Sequence, residues 1–343
     1  METLIEQALS GRRRALARLM TLVENDQHAA REIVRRIYRE TGRAHLIGVT
    51  GSPGSGKSTL VNEMAKALRA EGRLVGIVAV DPSSPFSGGA LLGDRVRMRD
   101  LAGDRGIFIR SMASRGSLGG LARTTGNVVR LLDAAGYDSI LIETVGAGQA
   151  EVDIAATAHT TLVIEAPGMG DEIQTIKAGI LEVADILVVN KADRPGADRT
   201  RRALTAMLQM GGGGNQSDRV EMHHGQLIGT GPIAEGQSAT QEPGQNSWRV
   251  PVVATVATTG EGVAELMAAV NGHLANLKAG GGWQAREFAR SRQEVRQLLR
   301  EEFIARLTAA VPAEERETLI ASVARRETDP YSAVDRLFAE VNG

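Results

Sequence analysis

The chain has 343 residues, 42% apolar and 24% charged, with 40 Lys and Arg against 41 Asp and Glu for a net charge of −1. That balance excludes a strongly basic nucleic-acid coat and an acidic disordered tail, and 3% aromatics argue against a base-stacking surface. The absence of cysteine removes disulfides, thiolate-bound zinc, iron–sulfur clusters and thiol nucleophiles. No apolar run reaches the ~18 residues of a membrane span, and the N-terminus, with Glu2, Glu6 and Arg12, Arg13 and Arg14, lacks an apolar signal core, so a cytoplasmic location is expected.

Residues 1–42 read as an N-terminal helical segment. Leu16, Leu19, Met20 and Val23 fall at i, i+3, i+4 and i+7, and Ile33, Val34 and Ile37 add further i+3 and i+4 pairs. Such a segment is expected to cap the next domain, with Arg12, Arg13, Arg14 and Arg18 on a solvated face. From residue 44, short apolar runs at 46–50, 74–80, 107–110, 139–142, 161–165, 186–189 and 250–256 alternate with helical stretches. Runs without polar alternation mean strands buried on both faces, and helices between them mean crossovers. The expected fold class is therefore α/β, a doubly wound and mostly parallel sheet over residues 43–278.

Residues 211–247 interrupt the rhythm. They open with Gly211, Gly212, Gly213 and Gly214, carry Asn, Gln and Ser, and show no apolar period, which predicts a flexible glycine-rich insert before the last strand. His223 and His224 fall inside it and are expected to face solvent rather than bind a metal. A helix over 263–277 and the glycines at 280–282 precede an all-helical tail, 283–343. Its stripe of Phe288, Val295, Leu299, Phe303 and Leu307 needs cover from the main domain or another subunit. Helical stretches at 321–326 and 332–341 follow, the second announced by Pro330.

The ligand class comes from one loop. Residues 46–50 run into Gly51-Ser52-Pro53-Gly54-Ser55-Gly56-Lys57-Ser58 and then an amphipathic helix starting at Thr59, a full G-x-x-x-x-G-K-S in its strand–loop–helix setting. Its glycines let backbone N–H groups curl around phosphates, and the helix N-terminus adds partial positive charge. Lys57 is placed to reach the β- and γ-phosphates, and the Ser58 hydroxyl to coordinate Mg²⁺.

The base is indicated by Asn190-Lys191-Ala192-Asp193 at the end of the 186–189 run, an N-K-x-D. The Asp193 carboxylate can accept both the ring N–H and the exocyclic amino group of guanine. Adenine would leave that carboxylate unpaired, which favours GTP over ATP. Asn190 can meet the other edge of the base or tie this loop to the phosphate loop, and the Lys191 stem can cover the ring. Residues 254–259 are the expected remaining base-side loop.

Three acids occupy metal- or water-side positions: Asp81, Glu143 and Asp94. Asp81 and Glu143 end strands, where ligands of parallel sheets bind, and form the candidate metal pair with Ser58; they could instead cap the turns that follow. Gly146 can offer its N–H to the γ-phosphate. The small-GTPase pattern Asp-x-x-Gly-Gln is broken here, with Glu143 for Asp and Ala147 for Gln, so hydrolysis needs another group or a partner that completes the site. Asp94 is the candidate for handling the attacking water, or else a solvated acid beside Arg95 and Arg97. Gln174 and Lys177, about one turn apart, read by themselves as the exposed face of a helix.

The phosphate loop, Asp81-Pro82-Ser83-Ser84, Gly93-Asp94-Arg95-Val96-Arg97-Met98, Glu143-Thr144-Val145-Gly146-Ala147-Gly148-Gln149 and the stretch from Asp171 to Lys177 leading to Asn190-Lys191-Ala192-Asp193 together resemble the MeaB/ArgK family, GTPases associated with methylmalonyl-CoA mutase in the SIMIBI class of P-loop proteins. The resemblance covers residues 10–200 strongly and the tail, with Asp329-Pro330-Tyr331-Ser332, more weakly. It implies a homodimeric G-protein chaperone that uses GTP/GDP and Mg²⁺. It also implies that the chaperone gates cofactor loading and reactivation of an adenosylcobalamin-dependent acyl-CoA mutase and dimerises through its helical tail. It implies that Asp94 is a catalytic carboxylate on a switch and that Lys177, on a second switch, reaches the nucleotide when the partner docks. The compact form expected of the family has no counterpart to the 211–247 insert. Rival classes are an ATP-using kinase or transport ATPase, which Asp193 argues against; a nickel metallochaperone GTPase, which usually carries Cys or His clusters; and a signal-recognition-type GTPase, whose Met-rich RNA-binding domain has no counterpart here.

Overall fold

The computed structural model describes residues 1–82, 99–101, 103–114, 120–144, 157–168, 183–211 and 248–342. The chain falls into two compact units, Met1–Trp283 and Gln284–Gly343.

The first unit opens with α1 (Glu2–Leu9), α2 (Arg13–Asn25) and α3 (Gln27–Ile37). Asp26 separates the last two because its carboxylate accepts from the N–H groups of His28 and Ala29, capping α3 while it stops α2. Seven strands follow: β1 (His45–Gly51), β2 (Val75–Pro82), β3 (Ile107–Ser114), β4 (Ser139–Thr144), β5 (Thr160–Glu165), β6 (Ile186–Asn190) and β7 (Val252–Thr255). They form one sheet in the order β3-β2-β4-β1-β5-β6-β7, every pairing parallel. Among the described residues, the helices between the strands are α4 (Lys57–Ala70), α5 (Gly120–Ala134) and α6 (Ala197–Gly211), and α7 (Val263–Ala279) follows β7.

Strand alternation divides the core between two faces. Ile140 and Ile142 join Leu46, Val78 and Val80 under α2, α3 and α5, whereas Leu141 joins Ile47, Val49 and Ile77 under α4 and α7. A third cluster sets Val163, Leu187 and Val189 against Leu204 of α6. Leu19, Met20, Ile33 and Ile37 are fully buried, so α2 and α3 are part of the core. An ion pair with two contacts, Arg110 Nε to Glu24 Oε1 at 2.6 Å and Nη2 to Oε2 at 2.5 Å, fastens β3 to α2. Asp133 at the end of α5 accepts the backbone N–H groups of Gly42, Arg43 and Ala44, fixing the chain as it enters β1.

The second unit contains most of α8 (Gly282–Ala310), then α9 (Ala313–Ala324) and α10 (Pro330–Asn342). Helix α8 begins at Gly282, the last of the glycines expected to precede the tail. Helix α9 starts eight residues before the expected 321, since the polar run Glu314–Thr318 gives its first turns no apolar period. Within this unit Val311 and Ala333 are buried and Phe303 stacks on Phe338 at 5.0 Å. Phe288, Val295 and Leu299 of the stripe stay exposed on the single chain. No described helix is long and apolar enough to cross a membrane.

Candidate functional site

The loop between β1 and α4 has the shape its sequence requires. Gly51 adopts φ +130°, and a Cβ there would lie 2.0 Å from the Ile164 carbonyl oxygen of β5. Gly56 adopts φ +94°, and a Cβ would meet Asn190 Nδ2 at 2.4 Å. Both positions combine a left-handed backbone with a close approach that only glycine permits. Gly56 is the N-cap of α4 and no side chain caps that end, so the first-turn N–H groups of α4 are presented to an anion.

Lys57 is buried, and its Nζ donates to the carbonyls of Gly51 (2.8 Å) and Ser52 (2.9 Å), which holds the ammonium over the loop. Pro53 and Gly54 are exposed on the loop's outer side, Ser55 is buried, and Thr59 follows on α4, half-buried. The Ser58 hydroxyl donates to Glu143 Oε1 at 2.6 Å across the gap between α4 and the end of β4. These two oxygens form a hard donor set of the kind Mg²⁺ takes. Asp81 occupies the corresponding end of β2, and its side chain lies outside the described residues. Asp94, Gly146, Gln174, Lys177, His223 and His224 also lie outside them. Among the described residues no group of three His, Cys, Asp or Glu is arranged to hold a metal ion.

The second loop docks onto the first. Asn190 ends β6 fully buried; its Nδ2 donates to Ser55 O at 2.8 Å, and its Oδ1 accepts from Thr255 Oγ1 (3.2 Å) and from the Ala257 N–H (3.1 Å). Of the two roles open to Asn190, the structure places it as the tie to the phosphate loop, and it holds the loop after β7 as well. Lys191 takes φ +58°, and its Nζ donates to Gly54 O at 2.7 Å. That sharp turn leaves Asp193 exposed beside a cleft of about 470 Å³, lined also by Arg194, Asp198, Arg201 and Ala254. The carboxylate is therefore presented rather than consumed.

Two features escaped the sequence reading. Glu165, the last residue of β5, is buried and accepts the Ser52 hydroxyl at 2.8 Å. The other lies at the opposite, N-terminal edge of the sheet. There His273 of α7 faces Asp185 Oδ1 through Nε2 at 3.4 Å, and its Nδ1 meets Thr160 Oγ1 at 2.9 Å. His45 Nε2 meets the same hydroxyl at 2.7 Å. A proton on His273 Nε2 makes its Nδ1 the acceptor of the threonine O–H, and Thr160 Oγ1 then accepts from His45 Nε2, an assignment drawn from the bonding pattern. His159 Nδ1 accepts the Leu46 N–H at 3.0 Å, and both tryptophans pack here, Trp283 on His159 at 3.8 Å and Trp248 beside His273 at 4.9 Å. Burial, together with His159, His273, Arg73 and Lys278 nearby, holds the His45 imidazole well below its ordinary value of 6.5. These partners are scattered over β1, β5, α7, α8 and the segments before β5, β6 and β7, so no local pattern marks them.

Comparison with known proteins agrees with this geometry. The chain matches the family model described as methylmalonyl-CoA mutase-associated GTPase MeaB over residues 16–312. A protein of Pyrococcus abyssi named as a GTPase is 45% identical over 343 residues, covering 100% of this chain and 97% of its own length. The mouse methylmalonic aciduria type A homolog, mitochondrial, is 40% identical over 199 residues, 54% of this chain and 48% of that protein. Among solved structures, a LAO/AO transport system kinase superposes with a TM-score of 0.70 at 25% identity, covering 100% of this chain and 97% of that one. With a phosphate loop, an N-K-x-D loop tied to it and a family match spanning most of its length, the chain belongs to the methylmalonyl-CoA mutase-associated GTPase family and is a P-loop GTPase.

Proposed function

We propose that this GTPase acts as a G-protein chaperone that gates cofactor loading and reactivation of an adenosylcobalamin-dependent acyl-CoA mutase of the methylmalonyl-CoA type. The family description and the name of the mouse relative support the choice of client. The observation that carries the nucleotide half is the bond from Asn190 Nδ2 to Ser55 O, because it couples base recognition to the phosphate cradle in one rigid body. In this reading Gly51, Ser52, Pro53, Gly54, Ser55, Gly56, Lys57, Ser58 and Thr59 hold the phosphates, and Gly146 adds an N–H at the γ-phosphate. Asp193 takes the guanine donors, the Lys191 stem covers the ring, and Asn190 ties their loop to the phosphate cradle.

Ser58, Asp81 and Glu143 would hold Mg²⁺, which neutralises phosphate charge when bound. The Ser58 hydroxyl and Glu143 carboxylate already point at one another across that position. Asp94 orients the attacking water, and Lys177 adds positive charge once the mutase has docked. The chemistry needs little beyond positioning and charge stabilisation. A homodimer built through the helical tail is part of the proposal, supported by the exposure of Phe288, Leu299 and Tyr331 on the single chain.

The test is GTP hydrolysis by the purified protein with and without a cobalamin-dependent acyl-CoA mutase, with ATP as control. Strong stimulation by mutase is expected. GTP turnover indifferent to mutase would remove the client, and a preference for ATP would favour the transport-kinase reading suggested by the name of the solved neighbour.

A further inference from the structure

Two buried carboxylates flank the phosphate loop, and the roles above use only one of them. Strand β1, which ends in Gly51, runs between β4 and β5. Glu143 closes the β4 side by accepting from Ser58 at the far end of the loop. Glu165 closes the β5 side: it is 8% exposed and accepts the Ser52 hydroxyl at 2.8 Å. Gly51 pairs in register with Ile164, so Glu165 comes level with the loop one residue further on, at Ser52. The 2.0 Å that a Cβ at Gly51 would leave to Ile164 O shows how tightly β5 is pressed against the loop there. The acid is held in place by the sheet itself.

Ser52 is also one of the two residues whose carbonyls hold the Lys57 ammonium. A negative and a positive side chain therefore meet on the same loop residue. A phosphate loop works by concentrating positive potential from N–H groups, a helix end and a lysine. A carboxylate fixed beside that loop opposes that potential.

We propose that Glu165 is a positioning residue that sets nucleotide affinity: it anchors the entry of the phosphate loop through Ser52, and its charge holds guanine-nucleotide binding below what the loop would otherwise reach. The effect is larger for the triphosphate, which carries one more negative charge than the diphosphate. A nucleotide held this way leaves faster, since affinity differences within one site are mostly differences in off-rate. The inference rests on the guanine-nucleotide reading of the site.

The experiment compares the full-length wild type with E165Q, E165D and E165M, using a fluorescent GDP and a fluorescent non-hydrolysable GTP analogue. Affinity is read by titration and release by stopped flow. E165Q keeps an acceptor for Ser52 and loses the charge. It is expected to bind the GTP analogue about tenfold tighter, with a smaller gain for GDP and slower release. E165D keeps the charge and is expected to stay near wild-type affinity. E165M, of similar length and uncharged, is expected to tighten binding as well, and reads the charge independently of the hydrogen bond. A merely structural acid would give weaker binding in every variant. Equal or weaker binding by both uncharged variants, at an unchanged melting temperature, overturns the proposal and leaves the nucleotide site standing. A wild type that binds neither nucleotide overturns the site and the proposal together.

Discussion

The two edges of the sheet are built from similar residues and do opposite things. At the N-terminal edge, His45 Nε2, Thr160, His273 and Asp185 meet one another inside the protein, and Trp248 packs beside His273. At the C-terminal edge, Lys57, Ser58, Glu143 and Asn190 are equally buried, but Lys57 is held by loop carbonyls and Ser58 by a carboxylate. Phosphate oxygens and a hard cation are partners that can replace those contacts. A network of contacts made only within the protein contributes stability; a cradle of exchangeable contacts contributes binding. Buried polar side chains alone do not distinguish the two, and the partners they hold do.

The sharpest way to break that comparison is to mutate both edges and measure both quantities. Asp185→Ala would leave the His273 ring and the Thr161 N–H facing a lost acceptor. It is expected to cost about 3 kcal/mol of unfolding free energy in urea titrations with nucleotide affinity unchanged in the folded fraction. Lys57→Ala is expected to do the reverse, weakening GTP binding about a hundredfold in equilibrium titrations, or roughly 2.7 kcal/mol, with little change in melting temperature. If Lys57→Ala instead lowers stability and spares binding, the contrast fails.

Smaller effects sharpen it. Asp193→Asn removes the proposed acceptor pair for guanine and is expected to reduce the preference for GTP over XTP and ATP about tenfold in competition assays. The smallest expected effect is a pH dependence at the N-terminal edge. Burial holds the His45 value below that of the unfolded chain, so as the pH falls the unfolded chain takes up a proton that the folded one refuses. Stability is intact above 6.5 and is lost progressively as the pH is lowered beneath it. Melting temperatures taken between pH 7.5 and 5 should fall in that direction, with tryptophan fluorescence reporting the same edge. His45→Gln should flatten the decline, and an unflattened curve would place its origin elsewhere.

Much of the fold was legible because its signals are local. Uninterrupted apolar runs marked all seven strands, although the limits moved: β3 extends to Ser114, past the expected 110, because Arg110 finds Glu24 and need not end the strand. The glycines of the phosphate loop and the N-K-x-D were likewise readable, since each is a contiguous pattern whose residue types follow from what the backbone must do. Less was legible in α9, where polar residues outnumber apolar ones at its start and the helix precedes any obvious stripe.

By itself, the sequence determined the parallel doubly wound architecture, the phosphate loop and the N-K-x-D motif, because hydrophobic period and short contiguous motifs act over a few neighbouring residues. Only the tertiary structure decided which of two roles Asn190 takes, that Ser52 is bound to Glu165, and that His45 and His273, distant in sequence, meet at one threonine hydroxyl. Those outcomes depend on strand order and register, which bring β1 between β4 and β5 and set Gly51 against Ile164. No local pattern encodes them, because the partners are joined by the pleated sheet and not by the chain.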